Sequence, residues 1–291
     1  MDIQWFPGHM TRAKRDMAES LRHVDAICEI IDARAPSSSR NPDLNGLAGG
    51  KPRVLAINRI DQADADATAR WSAHYRGLGE RVIETDCRSG AGVSRFAEAA
   101  RAQLADKLAS YEAKGQTGRG LRFMVVGIPN VGKSAFINAL AHRRAAAVSD
   151  RPGVTRGRQW IKIDSSLELM DTPGVLWPKL GDRTVAENLA FTGAVRDEVV
   201  DTEELCASLM VRLRELCPGR LAERYKMAVD ANDDGYAMLS RAAAGRGFLL
   251  PGGVYDTGRV SAILLDEFRS GKLGRITLDG LPRGGSADGT V

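Results

Sequence analysis

Short apolar runs alternate with amphipathic stretches along the first half of the chain. Four of these runs are rich in strand-forming residues, and they cover 26–31, 54–57, 81–85 and 121–126. Continuous apolar runs of this length are typical of strands that are buried on both faces of a parallel sheet. Polar residues follow the first three runs, at the edge where open α/β sheets bind ligands. The pattern therefore predicts an α/β fold with a binding site at the carboxyl ends of its strands.

The later pattern divides the chain into parts. A helical stretch over about 93–113 leads into a Gly-rich polar connector at 114–120. A hairpin is predicted over 159–170, with its turn at 164–166. From about residue 195 the spacing of apolar residues becomes helical. We therefore expect an N-terminal arm over 1–20, an α/β domain over 21–194, an all-helical C-terminal domain over 195–282 and a disordered tail over 283–291.

Composition narrows the class of protein. Of the 291 residues, 43% are hydrophobic and 27% are charged, so the chain can bury a full core and is not a disordered protein. Its net charge of +4 permits a nucleic-acid partner without requiring one. The four cysteines lack metal-site spacing and are expected to be reduced thiols. Because we find neither a signal peptide nor an apolar stretch long enough to span a bilayer, we expect a cytoplasmic protein with no membrane partner.

A phosphate-binding loop follows the fourth apolar run. Residues 127–134 read Gly-Ile-Pro-Asn-Val-Gly-Lys-Ser, which matches the GxxxxGK[ST] pattern between a strand and a helix. In such a loop the backbone N–H groups wrap the β-phosphate, Lys133 reaches the β- and γ-oxygens, and Ser134 offers its hydroxyl to Mg²⁺. The helix that follows points its N-terminus at the anion. We expect nucleotide contacts from Asn130, Val131, Gly132, Lys133, Ser134 and Ala135, and a catalytic part for Lys133.

Two further elements are expected near the γ-phosphate. The tetrad 171–174 reads Asp-Thr-Pro-Gly and matches a DxxG pattern, in which Asp171 would hold Mg²⁺ through water and the Gly174 N–H would sense the γ-phosphate. Upstream of the hairpin, Thr155 is the candidate switch threonine, a catalytic group and a Mg²⁺ ligand when a γ-phosphate is present. A bare turn and an ordinary loop are the respective alternatives.

A guanine-reading tetrad is predicted upstream of the phosphate-binding loop. Residues 58–61 read Asn-Arg-Ile-Asp, and Asp61 can accept hydrogen bonds from the ring N1–H and the exocyclic amine of guanine. Asn58 would hold the base edge and the neighbouring loops, while the stem of Arg59, where a Lys is usual, can pack under the base or ribose. Asp86 and Cys87 begin a loop that could support the base O6 through a backbone N–H. A capped turn is the alternative interpretation of the tetrad.

The order of these elements is inverted. The base-reading tetrad and the base-supporting loop precede the phosphate-binding loop, the switch threonine and the DxxG element. For all of them to meet in one pocket, the domain must be circularly permuted, with the usual termini joined near 114–120. The segment after Gly174 then leads toward the helical domain, so the bound nucleotide could move that domain.

Sequence motifs near both ends of the chain complete the pattern. Residues 3–10 read Ile-Gln-Trp-Phe-Pro-Gly-His-Met, 247–253 read Gly-Phe-Leu-Leu-Pro-Gly-Gly, and 256–259 read Asp-Thr-Gly-Arg. With the permuted order, they resemble the YlqF (RbgA) family of circularly permuted ribosome-biogenesis GTPases over about 3–278. The resemblance implies a Ras-like P-loop GTPase domain that uses GTP, GDP and Mg²⁺, followed by a helical RNA-binding domain. It further implies action in late assembly of the bacterial large (50S) ribosomal subunit, with its precursor and rRNA as partners that stimulate slow hydrolysis.

The resemblance also bears on catalysis. Val175 stands where a Gln could orient the attacking water, so turnover should be slow unless another group enters. Asn130 matches the asparagine that ligands K⁺ in related GTPases, and we expect K⁺ to stimulate hydrolysis. The family pattern puts His9 near the nucleotide, where it could position water or serve as a structural hydrogen-bonding residue.

Basic residues indicate where RNA would bind. A set of them surrounds the Gly-rich loop 245–253 and is interpreted as rRNA phosphate contacts: Arg241, Arg246, Arg259, Arg269, Lys272 and Arg275. We expect a monomer and no DNA partner. Two rival functions stay open, namely an RNA-binding scaffold whose nucleotide site does not turn over, and a metabolic P-loop ATPase or kinase, against which Asp61 argues.

Overall fold

The computed structural model describes residues 15–116, 120–142, 159–172, 174 and 182–282. Within these ranges the strands form one six-stranded sheet in the order β3-β2-β1-β4-β6-β5. The edge strand β5 is antiparallel to β6, and all other neighbours are parallel. The strands are β1 (Ala26–Asp32), β2 (Arg53–Asn58), β3 (Arg81–Thr85), β4 (Leu121–Val126), β5 (Gln159–Asp164) and β6 (Leu167–Asp171).

The strand connections reverse direction between β1 and β4. From β1 the chain proceeds outward to β2 and β3, whereas from β4 it proceeds to the opposite edge at β5 and then returns to β6, beside β4. A crevice forms at such a switch point, outside the carboxyl ends of the strands. Asp32 and Asn58 end β1 and β2, and Gly127 follows β4. The predicted base and phosphate elements therefore reach one edge of the sheet.

Helices cover both faces of the sheet. The helix described from residue 15, α1 (15–21), is followed by ten others. Among described residues they are α2 (Asp43–Ala48), α3 (Ala65–Gly77), α4 (Arg95–Gln103), α5 (Ala105–Ala113), α6 (Lys133–His142), α7 (Arg183–Phe191), α8 (Thr202–Leu216), α9 (Pro218–Tyr225), α10 (Gly235–Arg246) and α11 (Thr257–Arg269).

Residues of β1 pack on both faces of the sheet, which explains why every residue of the run 26–31 except Glu29 is apolar. Ile30 packs in one cluster with Phe96 of α4 and Phe136 of α6. Its neighbour Ile31 packs on the other face, in a cluster with Trp71 of α3. Because successive side chains of a strand point to opposite faces, a strand covered on both sides is apolar on both. The exception, Glu29, is paired with Arg40 and Arg53.

The strand predictions and the hairpin over 159–170 are confirmed. The helical prediction over 93–113 needs one correction, since the structure contains two helices separated at Leu104. Leu104 leaves helical geometry (φ −120°, ψ 26°) and is buried in the same cluster as Phe96. Its amide still donates to Ala100 O and Arg101 O, so the chain changes direction while this amide keeps its hydrogen bonds.

The C-terminal helices begin at aspartate caps. Asp201, Asp234 and Asp256 each accept a hydrogen bond from the backbone three residues later, at the start of α8, α10 and α11. Such caps satisfy amides that have no partner within the helix. Buried side chains of these helices belong to the same cluster as Phe123 of β4. The domain boundary at 194 stays a prediction, since one hydrophobic core extends across it.

No helix in the described ranges is long and apolar enough to cross a membrane. The predicted tail 283–291 and most of the predicted arm 1–20 lie outside the described residues.

Candidate nucleotide-binding site

The loop between β4 and α6 can be built only with glycine at two positions. Gly127 has a φ of 156°, and a Cβ there would lie 2.5 Å from the Ile30 carbonyl oxygen. Gly132 has a φ of 106°, and its Cβ would collide with Nδ2 of Asn58. These close approaches let backbone amides face the crevice with no side chain between them and a ligand.

Lys133 is held in a position suited to an anion. Its side chain is buried, and Nζ donates to the carbonyl oxygens of Gly127 (3.1 Å) and Ile128 (2.9 Å). Burial lowers the pKa of its ammonium to about 8, although the nearby Asp171 carboxylate acts in the opposite direction. A buried ammonium that donates to neutral carbonyls would gain from a phosphate. Lys133 therefore fits the predicted contact to the β- and γ-oxygens.

Ser134 and Asp171 form a pair of oxygen donors. Ser134 Oγ lies 3.5 Å from Oδ2 of Asp171, at the end of β6. The next residue, Thr172, donates its hydroxyl to Val125 O at 2.6 Å, which holds the end of β6 beside β4. Across the described part of the chain no three His, Cys, Asp or Glu side chains form a metal cluster. The pair therefore fits Mg²⁺, which is usually held by few protein ligands together with water and phosphate oxygens.

Gly174 lies directly against the phosphate-binding loop. A Cβ at this position would be 2.7 Å from Cα of Pro129 and 2.8 Å from Nζ of Lys133. Only a residue without a side chain can bring its backbone so close to the lysine. This contact places Gly174 beside Lys133, and its part in sensing the γ-phosphate stays a prediction.

Nucleotide affinity should fall as the pH rises above 8. Free Lys133 loses its proton near pH 8, whereas a bound phosphate would raise its pKa. Binding then takes up a proton, and linkage predicts an affinity for GDP roughly eightfold weaker at pH 9 than at pH 7.5. Isothermal titration calorimetry in two buffers of different ionisation enthalpy measures the affinity and the proton uptake. Lys133→Ala should lose the uptake, and equal wild-type affinity at both pH values would contradict the prediction.

Asn58 ties three loops together. Its Nδ2 donates to Val131 O at 2.8 Å, while its Oδ1 accepts from the Cys87 amide (3.1 Å) and from Oγ1 of Thr85 (3.3 Å). The side chain is buried, so both ends of the amide are used inside the protein. Asn58 thus joins the base-reading tetrad to the phosphate-binding loop, as its predicted second role requires.

Arg59 lies across the phosphate-binding loop. Its backbone is left-handed (φ 65°), and Nη2 donates to Asn130 O at 2.8 Å. Its Nε lies 3.7 Å from Oδ2 of Asp32. The guanidinium also donates to Oε1 of Gln62 at 3.4 Å. The phosphate-binding loop, the end of β1 and the tetrad's own loop thus hold it, and packing of its stem beneath a base or ribose stays a prediction.

Among the predicted base-reading residues, Asp61 has a side chain that receives no hydrogen bond from the described part of the protein. It is partly buried, and within the described ranges its carboxylate accepts no hydrogen bond and forms no ion pair. A carboxylate in this state can accept two N–H groups from one base edge. The predicted guanine contact therefore has an acceptor available.

Asp86 and Cys87 shape the base-supporting loop. Burial opposes ionisation of Asp86, but hydrogen bonds from Ser89 and from the Arg88 amide lower its pKa. Burial raises the pKa of Cys87 to about 12, so the thiol is neutral. Since the Cys87 amide donates to Asn58, the contribution of this pair to base binding stays a prediction.

Asn130 connects the phosphate-binding loop to the helical region. It has a left-handed backbone (φ 59°), and its Nδ2 donates to Gly193 O at 2.7 Å. The amide oxygen is then the atom that could ligand K⁺. His9, Thr155 and Val175, the other residues predicted to affect catalysis, lie outside the described residues.

Sequence reasoning missed a buried ion pair beside the site. Arg34 Nε and Nη2 donate to the two carboxylate oxygens of Asp32 at 2.9 and 2.7 Å, and both side chains are buried. Arg34 also approaches Thr192 O and Arg269 O, each at 3.4 Å. The available signal was an Asp-x-Arg sequence directly after a buried strand.

Comparison with known proteins reveals relatives over nearly the whole chain. A family model described as 50S ribosome-binding GTPase matches residues 122–216. The chain is 39% identical to ribosome biogenesis GTPase A of Bacillus cereus over 279 residues, which cover 96% of this chain and 94% of that protein. A second ribosome biogenesis GTPase A, from Priestia megaterium, is also 39% identical, with 96% of this chain and 97% of the relative covered.

Solved structures give the same result for the fold. The crystal structure of GNP-bound YlqF from T. maritima is 26% identical with a TM-score of 0.64, and the match covers 92% of this chain and 97% of that one. The GDP-bound structure of TM YlqF is 24% identical with a TM-score of 0.67, covering 90% and 96%. These similarities confirm the predicted fold class.

Proposed function

Since the chain belongs to the ribosome biogenesis GTPase A family and is a GTPase, we propose that it hydrolyses GTP as a factor in late maturation of the bacterial large (50S) ribosomal subunit. The observation that carries the proposal is the hydrogen bond from Asn58 to Val131. It joins a base-reading element to a phosphate-binding loop that lies 73 residues further along the chain. One nucleotide can therefore contact both elements.

Each residue of the site has a separate part in the proposed reaction. Lys133 and the backbone amides of 130–135 bind the phosphates, and Asp61 selects guanine. Ser134 and Asp171 would hold Mg²⁺, which would neutralise charge on the phosphate oxygens. Gly174 contacts the phosphate-binding loop, so a γ-phosphate at Lys133 would meet the Gly174 backbone.

K⁺ should accelerate hydrolysis through Asn130. The oxygen of its amide lies on a loop that holds the phosphates, where a cation would stabilise charge in the transition state. We expect about tenfold faster hydrolysis in KCl than in NaCl, which corresponds to roughly 1.4 kcal/mol in barrier height. Rates measured at equal ionic strength provide the comparison. Asn130→Ala should remove the difference, and equal wild-type rates in both salts would exclude this role.

A basic groove on the helical region is the proposed RNA contact. Four of the predicted RNA contacts have acidic partners. Arg241 pairs with Asp233 and Arg269 with Asp197, while Arg246 pairs with Glu267 and Lys272 with Asp266. Two further cations, Arg220 and Lys226, have no acidic partner within the described residues, and they line a groove of about 630 Å³ beside α9. The lining residues are Arg220, Glu223, Arg224, Lys226, Arg246, Lys272, Leu273 and Gly274. Excess positive charge of this kind matches an RNA phosphate backbone.

Single-turnover hydrolysis with and without purified large subunits tests the proposal. We expect subunits to accelerate GTP hydrolysis, and we expect binding to subunits to weaken with added salt. The double variant Arg220→Gln and Lys226→Gln should bind less tightly and lower the salt slope by roughly one for each phosphate that is no longer neutralised. Arg95→Gln, which removes an exposed cation from α4, is the matched control. GTP binding without hydrolysis would favour an RNA-binding scaffold. A preference for ATP over GTP would favour a metabolic ATPase or kinase.

A further inference from the structure

The chain after α11 returns to the α/β region as an extended segment. We call residues 276–281 the C-terminal strap. The Ile276 amide donates to Gln62 O at 3.0 Å, and the Leu278 amide donates to Arg34 O at 2.7 Å. Both side chains are buried. The strap therefore contacts the loop after β2, which contains Asp61, and the loop after β1.

One hydroxyl of the strap joins these two loops. Thr277 Oγ1 accepts from the Asp64 amide at 3.2 Å and lies 3.3 Å from Ala33 O, to which it donates. Asp64 in turn caps α3, because its Oδ1 accepts from the Ala67 amide at 2.8 Å. Asp61 is thus three residues before Asp64, whose amide donates to Thr277. It is one residue before Gln62, whose carbonyl oxygen accepts from the Ile276 amide.

The far end of the strap is anchored through Asp279. Its carboxylate accepts from the amides of Ser37 and Ser38, each at 2.8 Å, and from Ser38 Oγ at 2.7 Å. It also accepts from Nδ2 of Asn188 at 2.8 Å. The backbone oxygen of Asp279 accepts from Nε1 of Trp71 on α3 at 3.3 Å. With four donors on one carboxylate, this end of the strap has little freedom to move.

We propose that the C-terminal strap positions Asp61 for base recognition, with Thr277 as a positioning residue. This inference rests on the proposed guanine contact of Asp61. A carboxylate that reads two N–H groups must lie within hydrogen-bond distance of both, so a small displacement weakens both contacts. Guanine preference then depends on the C-terminal strap as well as on the base-reading tetrad. Arg220, which lines the basic groove, donates to the carbonyl oxygen of Arg275 at 2.9 Å, one residue before the strap.

The test compares two substitutions of Thr277. Thr277→Val has nearly the same shape but leaves the Asp64 amide without its acceptor, whereas Thr277→Ser keeps the hydroxyl. The measured quantities are the dissociation constants for GDP and IDP, because inosine keeps N1–H and lacks the exocyclic amine. We expect Thr277→Val to weaken GDP binding about tenfold and IDP binding less, so the preference for GDP falls. Thr277→Ser should retain the wild-type preference.

A folded Thr277→Val variant with an unchanged ratio of GDP to IDP affinity would overturn the inference. Should that variant fail to fold, Asp279→Asn provides the second test, because it weakens the other anchor of the strap and should lower the same ratio. An unchanged ratio in a folded Asp279→Asn variant overturns the inference as well. A wild-type chain with no preference for GDP over IDP would instead overturn the proposed base contact of Asp61.

Discussion

Replacement of Asp61 by asparagine should move the base preference of the protein from guanine to xanthine. The Asp61 carboxylate is not used by any donor of the described chain, and it lies on the loop that Asn58 joins to the phosphate-binding loop. A carboxylate accepts both the N1–H and the exocyclic amine of guanine, whereas the amide of asparagine offers one acceptor and one donor. Xanthine has a carbonyl in place of the amine, so it matches the amide.

The expected loss of GDP affinity is at least about 100-fold, because each of two hydrogen bonds to a charged group contributes roughly 1.5–3 kcal/mol. Titration of GDP and of xanthosine diphosphate (XDP) into the wild-type protein and the Asp61→Asn variant measures the change in base preference. Asp66→Asn is the matched control, since Asp66 is exposed in the first turn of α3 and should leave both affinities unchanged. Guanine preference that survives in Asp61→Asn would remove the basis of the proposed nucleotide specificity.

Replacement of Arg34 by methionine should destabilise the protein by about 3–5 kcal/mol, the usual cost of leaving one member of a buried ion pair without its partner. Burial alone would raise the pKa of Asp32, but the charge and hydrogen bonds of Arg34, together with the charge of Arg59, lower it overall. The carboxylate is therefore ionised in the folded protein. Without Arg34 it would be a buried charge with its main stabilising partner removed.

Denaturant unfolding measures this loss as a shift of the midpoint. Arg76→Met is the control, because Arg76 forms an exposed ion pair with Glu84 at 3.4 Å, and such pairs contribute about 1 kcal/mol or less. Because the folded pKa of Asp32 is lowered, the stability that this group adds is present above its unfolded pKa and is lost as the pH falls. The difference between wild type and Arg34→Met should therefore shrink in acid. Equal losses in the two variants would show that the buried pair adds nothing beyond a surface pair.

The base-reading elements show what sequence reasoning could and could not predict. The strands before Asn58 and Gly127 were predictable, because burial on both faces demands continuous apolar runs. The sequence required the base-reading tetrad and the phosphate-binding loop to meet, but it did not predict the particular contact of Asn58 with Val131. Asn58 holds loops together, whereas Asp61 has no protein donor in the described ranges. This division of roles depends on side-chain partners from distant parts of the chain.

The basic residues of the helical region show a second limit of prediction from sequence. Sequence reasoning grouped Arg241 and Arg269 with the other basic residues near the Gly-rich loop. In the fold each has an acidic partner, Asp233 and Asp197 respectively. Two more members of that set, Arg246 and Lys272, are paired with Glu267 and Asp266. A list of basic residues carries no information about which of them are already paired, because ion pairs form between elements that only packing brings together.

By itself, the sequence determined the parallel strands, the phosphate-binding glycines and the permuted order of motifs. These features follow from local rules, since strand burial and left-handed backbone each depend on a few neighbouring residues. Only the tertiary structure decided that Arg34 neutralises Asp32, that Asn130 contacts Gly193, and that the C-terminal strap holds the loop of Asp61. These contacts join residues far apart in the chain or depend on burial from all sides, and no local pattern specifies them.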